Sequence, residues 1–142
     1  MDCIFENLSG LTSSVVSVYE SRVAFMSEKP TGSKIQFKNN VSDQGSTVYG
    51  VSSVIVFRNM TSAFNTAVRG GCIQIVSSEF EAIDSIFNNN NAELGGTIFA
   101  IQSSVMRIRR SELLDNRASI GSVVYSMANK INAKVGYTSQ YV

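Results

Sequence analysis

The carboxylates and guanidinium groups with a spacing suited to chemistry lie in the second half of the chain. Glu79 and Glu81 are separated by one residue, so on an extended strand both side chains point to the same side. Two carboxylates on one face could flank a sugar or hold a metal ion, as polysaccharide hydrolases and lyases require. Arg107 follows Glu81, and Arg110 follows Asp84, at one common interval, which allows carboxylate–guanidinium contacts.

The absence of histidine removes most of the alternatives for catalysis. The chain contains no His and two Cys, which excludes Ser-His-Asp and Cys-His nucleophile pairs and four-thiolate zinc sites. The two cysteines, Cys3 and Cys72, lie far apart and are interpreted as buried or unpaired thiols. Because ion pairs on a solvated strand account for the acidic and basic spacings, we expect no enzyme activity and no catalytic, cofactor-binding or metal site.

The charge of the chain excludes two further classes of function. The net charge is +1 and charged residues make up 16% of the sequence. The chain therefore lacks the positive electrostatic field that attracts nucleic acid or acidic membrane surfaces. No apolar run is long enough to span a bilayer, and the beginning of the chain lacks a signal-peptide pattern.

An internal sequence repeat predicts the secondary-structure elements that position these side chains. Each unit has a glycine, a small residue directly after it and a β-branched residue two positions further on, and an asparagine precedes each glycine at a constant distance. The position numbers of successive glycines differ by 25, 25 and 26. The glycines are Gly45, Gly70, Gly95 and Gly121, and the asparagines are Asn40, Asn65, Asn90 and Asn116. Small residues share a further column, at Ser42, Ala67, Ala92 and Ala118. The extra residue of the third unit is placed between Ile98 and Ser103. Columns that stay in phase over four units indicate a solenoid.

The repeat also predicts the interior and the first turn. Phe37, Ser62, Phe87 and Leu113 form an inward column, in which Phe64 could fill the gap at Ser62 if the register shifts. Serine pairs close the units, with Ser27 alone in the first. Matching Asn7 to Asn40 leaves about eight inserted residues, which are assigned to a loop at 19–31 containing Pro30.

Short alternating apolar segments with no helical period favour strands, and about 25 residues with three short strands fit one coil of a parallel β-helix. The fold class predicted is therefore an all-β parallel β-helix of four to five coils. The asparagines would form a ladder along the axis and adopt the left-handed backbone of a turn. The glycines would supply positive φ at another corner.

Two motifs resemble a known family. Gly70-Gly71-Cys72-Ile73 and Gly95-Gly96-Thr97-Ile98, together with Phe37-Lys38-Asn39-Asn40 and Phe87-Asn88-Asn89-Asn90, are similar to the GGxI and FxxN repeats of polymorphic outer membrane proteins, within the pectin-lyase-like superfamily. The resemblance covers residues 1–128 and implies a right-handed coil within a longer solenoid. Such families include surface adhesins, extracellular structural proteins and polysaccharide-degrading enzymes.

The preferred function is a non-enzymatic structural or adhesive segment of a longer surface or extracellular protein. The alternative is a polysaccharide-binding or polysaccharide-degrading β-helix. Tyr49, Phe99 and Tyr125 share an outward column that could stack on sugar rings or be covered by a partner. The expected partners are protein partners or further coils at the solenoid ends, with carbohydrate as a further possibility.

The last residues of the chain and its glycosylation sequons also have predicted roles. Residues 129–142 are assigned as a tail or cap, and Ile131, Val135, Tyr137 and Tyr141 could cover the last coil. Three Asn-x-Ser/Thr sequons begin at Asn7, Asn40 and Asn59. Because the ladder would bury the amides of Asn7 and Asn40, Asn59 is the preferred glycosylation site.

Overall fold

The fold was analysed in a computed structural model, which describes residues 3–12, 15–27, 35–102, 104–127 and the backbone of 130–131. The described chain is an all-β parallel solenoid of about 4 turns with about 26 residues per turn, which confirms the predicted fold class. The hand of the coil stays a prediction. Pro30, Ser103 and the assigned tail or cap at 129–142, apart from the backbone of 130–131, lie outside the described residues.

Each turn contributes one strand to each of four parallel sheets, named A to D. Sheet A contains β1 (Cys3–Glu6), β5 (Ile35–Lys38), β9 (Met60–Ala63), β13 (Ile86–Asn88) and β17 (Glu112–Leu114). Sheet B contains β2 (Ser9–Gly10), β6 (Val41–Gln44), β10 (Thr66–Arg69), β14 (Asn91–Leu94) and β18 (Arg117–Ile120). Sheet C contains β3 (Val16–Tyr19), β7 (Val48–Val51), β11 (Ile73–Val76), β15 (Ile98–Ile101) and β19 (Val124–Ser126). Sheet D contains β4 (Arg22–Met26), β8 (Val54–Arg58), β12 (Glu79–Ile83), β16 (Val105–Arg109) and β20 (Lys130–Ile131). The predicted three strands per turn become four because the segment between asparagine and glycine pairs as sheet B.

The pairing register follows the spacing of the repeat. Ser62 pairs with Phe37 of the preceding turn and with Phe87 of the following turn, and Phe87 in turn pairs with Leu113. The offset between paired positions is still 25 where Val76 pairs with Ile101 and becomes 26 where Glu79 pairs with Val105. The extra residue of the third unit therefore lies in the turn between Ile101 and Val105, a little later than predicted.

The first turn differs from its prediction by one residue. Phe5 pairs with Phe37, so Leu8, and not Asn7, lies opposite Asn40. Ring stacking selects this register, because the centroids of Phe5 and Phe37 are 5.0 Å apart with the planes 13° from parallel.

The predicted loop of the first turn overlaps the position of the insertion only in part. The register set by Phe5 and Phe37 persists to the pair Met26 and Arg58, and the ordinary repeat spacing begins where Ile35 pairs with Met60. The insertion therefore follows Met26, whereas the proposed loop at 19–31 overlaps strand β4.

Each corner whose residues are all described has one residue with positive φ. Glycine takes this position between sheets B and C, whereas other residues take it at the remaining three corners. Between A and B they are Asn7, Asn39, Phe64, Asn89 and Asp115; between C and D, Glu20, Ser52, Ser77 and Gln102; and between D and A, Asn59, Asp84 and Arg110. The prediction that Asn40 and its equivalents are left-handed is wrong. The preceding residue makes the bend, and the asparagine after it is buried.

Aromatic rings stack through the interior. Where Ser62 leaves a gap between Phe37 and Phe87, Phe57 reaches across from sheet D, and its ring centroid lies 5.9 Å from Phe37 and 6.2 Å from Phe87. The plane of Phe57 is 15° from parallel to that of Phe37 and 13° from parallel to that of Phe87. Phe64 does not fill the gap, because it is 56% exposed at its left-handed corner.

Candidate functional site

Four asparagines follow the bend between sheets A and B and form a continuous line of hydrogen bonds, here named the asparagine row: Asn40, Asn65, Asn90 and Asn116. In each step the side-chain Nδ2 donates to the Oδ1 of the next turn, at 3.0, 2.9 and 3.0 Å. The backbone N–H donates to the same Oδ1 at 3.0, 3.2 and 3.0 Å. Each Nδ2 also reaches a carbonyl of the preceding turn, so every member of the row except Asn116 links three consecutive turns.

Serine hydroxyls form comparable rows at two other corners. The N–H of Ser53 donates to the hydroxyl of Ser78, and the N–H of Ser78 donates to that of Ser104, at 3.0 and 3.2 Å. Ser85 and Ser111 repeat the contact at the corner between D and A, at 3.1 Å. Ser27 does not take the first-turn position of these closing serines. The N–H of Ser21 donates to the Ser53 hydroxyl at 3.2 Å, whereas the carbonyl of Ser27 accepts from Asn59 at another corner.

The four predicted turn glycines have φ values of 47°, 63°, 65° and 65°, in chain order, a region that favours glycine. The second glycine of the pairs has a different constraint. A Cβ at Gly71 would press on the carbonyl of Gly96, and one at Gly96 on the carbonyl of Ser122. The GG pair therefore combines a left-handed bend with a close approach of adjacent turns.

The acidic and basic residues form ion pairs across turns. Glu81 and Arg107 are register neighbours, but the contacts run diagonally, from Arg107 to Glu79 at 3.1 Å and from Arg109 to Glu81 at 3.8 Å. The predicted contact of Arg110 with Asp84 is present as two parallel hydrogen bonds of 2.6 and 2.8 Å. These bonds are the largest cause that lowers the pKa of Asp84 below its ordinary value, and the positive charge of Arg110 adds to the effect.

A shallow groove of about 590 Å³ runs over the outer surface of sheet B, crossing successive turns. Small side chains from the predicted column form its floor, and larger side chains form both rims. The floor residues are Ser42, Ala67, Ala92 and Ala118; the rims are Val41, Thr66, Asn91 and Arg117 on one side and Asp43, Val68, Glu93 and Ser119 on the other. Asp43 and Glu93 share a rim but lie two turns apart, with Val68 between them.

The aromatic column on sheet C is not a continuous exposed platform. Phe99 is 5% exposed, because its ring stacks on Tyr125 with centroids 5.2 Å apart and planes 4° from parallel. Tyr49 and Tyr125 are half-buried, and Gln74 between Tyr49 and Phe99 is 4% exposed. Stacking along the axis therefore hides the ring faces that a sugar would use.

A buried polar cluster surrounds Ser62, which the sequence does not predict. The Ser62 hydroxyl lies 2.8 Å from the Cys72 sulfur and 3.4 Å from the Thr47 hydroxyl, and it accepts from Asn65 Nδ2 at 2.9 Å. Burial raises the pKa of the Cys72 thiol from 9.0 to about 12, although bonds to Ser62 and Thr47 oppose the shift. A thiol in this state is neutral at pH 7 and is a poor nucleophile.

The three sequons differ in accessibility. Asn40 is fully buried in the asparagine row, as expected. Asn7 is exposed, contrary to the expectation, because Leu8 occupies the row position. Asn59 is half-buried and its Nδ2 donates to the carbonyl of Ser27 at 2.8 Å. Glycosylation at Asn59 stays a prediction.

The described residues hold no group of three or more Cys, Asp or Glu side chains placed to bind a metal ion. The same part of the chain contains no helix that could cross a membrane. Comparison with protein-family models, with curated proteins and with solved structures finds no match to this chain.

Proposed function

We propose that this chain is a structural or adhesive β-solenoid segment that works by stacking against further coils or protein partners at its ends. The observation that supports it most is the set of open strand edges. Within the described residues, β1 to β4 at one end and β17 to β20 at the other each pair on one side only. Open edges of parallel strands are templates for further pairing.

The apolar interior is less covered at both ends than in the middle. Phe5 and Phe25 of the first turn are half-buried, whereas Phe37 and Phe57 of the next turn are fully buried. Leu113 and Val124 are half-buried at the opposite end. Covering these side chains would add about 25 cal/mol for each Å² of apolar surface removed from water.

A sedimentation-velocity series of the full chain over a range of concentrations tests the proposal. We expect concentration-dependent association that Leu113→Lys weakens, because a charge would enter the end of the interior. Ser119→Lys adds the same charge to the outer surface of the same turn and serves as the control. Circular dichroism checks that both variants are folded. A monomer at every concentration, or equal effects of the two variants, would contradict the proposal.

The proposal assigns no catalytic role to the chain. Its main support is that Glu79, Glu81 and Asp84 each contact an arginine of the next turn. Cleavage of a uronate polymer that depends on Glu79 and Glu81 would overturn this assignment.

An extracellular or cell-surface location, together with membership of the polymorphic outer membrane protein type, belongs to the same proposal. Its support is the resemblance of the repeats. Mass spectrometry of the native protein should detect glycan on Asn59 or on the more exposed Asn7 if the chain passes through a glycosylating secretory pathway.

The groove on sheet B favours a second candidate function, the binding of a polysaccharide along the solenoid. The groove is continuous over four turns, and its rims carry Asp43, Glu93 and Arg117. Titration with a uronate polymer and with a neutral glucan, monitored by calorimetry, tests this candidate. Binding that Arg117→Gln weakens would support it, and no heat with either polymer would exclude it at the concentrations used.

A further inference from the structure

The asparagine row has a direction, and its two ends differ. At every step the N–H and Nδ2 of one turn donate to the Oδ1 of the following turn. At the first turn Leu8 takes the row position, and its N–H donates to Asn40 Oδ1 at 3.1 Å. Because leucine has no side-chain amide, the row begins at Asn40 and offers no side-chain oxygen beyond it.

The opposite end of the row has unused donors. Asn116 Oδ1 accepts from Asn90, and Asn116 Nδ2 donates to the carbonyl of Phe87 at 2.9 Å. Among the described residues, no acceptor meets the N–H of Asn116 or lies one turn beyond its Nδ2. Asn116 is nevertheless only 7% exposed, and an N–H that is removed from water without an acceptor destabilises the fold.

The sequence supplies no further row member at the required spacing. One repeat length after Asn116, the chain has Tyr141 and Val142. A second copy stacked with its first turn on this end would place Leu8 over Asn116, again without a side-chain oxygen. Neither these positions nor an identical partner turn would continue the row.

We propose that the end bearing β17 and β18 is the docking end, and that it accepts a β-solenoid turn of a separate protein partner with an asparagine at the row position. The incoming asparagine Oδ1 accepts from the N–H and Nδ2 of Asn116. Its own Nδ2 donates to the carbonyl of Leu113, as Asn116 does to Phe87. The flanking strands of the partner pair in parallel with β17 and β18, a form of β-strand addition.

This inference rests on the proposed function, because it names the partner chemistry of one end. The chain contains a natural probe for it, the corner at 85–94, which holds β13, the left-handed Asn89, the row residue Asn90 and β14. A synthetic peptide of this sequence, labelled with a fluorophore, is titrated with the full chain and followed by anisotropy. A peptide with Asn90→Ala is the matched control.

We expect the Asn90→Ala peptide to bind about ten-fold more weakly, since two or more hydrogen bonds are lost. Amide hydrogen exchange gives an independent readout, in which the N–H of Asn116 exchanges faster than that of Asn90 in the free chain and slows when the peptide is added. Equal binding of the two peptides, no binding of either, or an Asn116 amide already as protected as that of Asn90 would overturn the inference.

The first turn provides a second test. Leu8→Asn gives the chain the missing amide, so head-to-tail association should increase relative to wild type and to Leu8→Ala, and Asn116→Ala should reverse the gain. No gain in Leu8→Asn would contradict the inference. If the chain associates equally with or without Asn116, the docking of an asparagine turn on Asn116 is contradicted while the proposed function stands. If the chain never associates but binds the peptide through Asn90, only the proposed function is contradicted.

Discussion

The buried side chain of Asn65 forms hydrogen bonds to the turns on both sides of it. Its Oδ1 accepts from the N–H and Nδ2 of Asn40, and its Nδ2 contacts Phe37, Ser62 and Asn90. Asn65→Ala would leave several buried groups without partners and should lower the free energy of unfolding by about 3 kcal/mol or more.

Urea denaturation measures this change. Asn91→Ala removes the same side chain from the exposed face of sheet B and should change stability by less than about 0.5 kcal/mol. Similar losses in the two variants would contradict the role assigned to the row.

Phe64 occupies a left-handed corner for which its side chain is poorly suited. Its φ is 57°, and the equivalent residues in neighbouring turns are Asn39 and Asn89. Phe64→Asn should raise the free energy of unfolding by about 1 kcal/mol, because asparagine tolerates this backbone. Phe64→Leu removes the ring without relieving the backbone, so urea denaturation should show no stabilisation; a gain equal to that of Phe64→Asn would show that ring exposure, and not φ, is the cause.

Cys72 links stability to alkaline pH. Its folded pKa is about 12 against an ordinary value of 9.0, so the folded state retains the proton longer than the unfolded state. The contribution of this thiol to stability is therefore complete below pH 9 and is lost as the pH rises towards 12.

Cys72→Thr tests the link, since threonine takes the equivalent place at Thr47 and Thr97. The stability difference between wild type and variant, measured by urea denaturation from neutral to alkaline pH, should change in favour of the variant above pH 9. A difference that is constant with pH would show that the thiol does not titrate between the two states.

At the scale of the elements, two strands share one interior position. Phe57 of β8 fills the gap that Ser62 leaves in β9. Phe57→Ala should destabilise by about 3–5 kcal/mol through a cavity, and Ser62→Phe by about 1–3 kcal/mol through overpacking. The double variant should recover at least about 1 kcal/mol relative to the sum, because the new ring enters the space vacated by the old one. Additive losses in urea denaturation would contradict this arrangement.

The repeat predicted three of the four strands of a turn, and the asparagine row, because stacking puts the same demand on a position once per turn. Asn40, Asn65, Asn90 and Asn116 were found from spacing alone, as were the glycines. Deviations within a turn were not predictable, since they depend on which side chain fills a space. Spacing could not show that Phe57 replaces a ring at Ser62, nor that ring stacking shifts the first turn to place Leu8 over Asn40.

The bends gave a weaker signal than the rows that follow them. Asn39, Phe64, Asn89 and Asp115 all have positive φ, but they share no residue type across the four turns. The left-handed backbone was therefore assigned to the repeated asparagine, because asparagine tolerates that conformation, although the residue before it makes the bend. The direction of the row was also outside the reach of the sequence, because it requires knowing which atom donates.

At the scale of the whole molecule, the described chain is a short stack with regular sides and uncovered ends. About 4 turns at a spacing of roughly 4.8 Å give a stack of roughly 20 Å along the axis. The sides carry ion pairs and one shallow groove, whereas the ends carry open strands and part of the apolar interior. We propose that association takes place at the ends.

Small-angle X-ray scattering of the associated species, collected after size exclusion, tests that claim most directly. Stacking at the ends predicts a cross-sectional radius of gyration equal to that of the monomer, with a maximum dimension that grows by roughly one stack length for each added unit. A cross-section that widens on association, at a nearly constant maximum dimension, would show that the sides associate and would contradict the account.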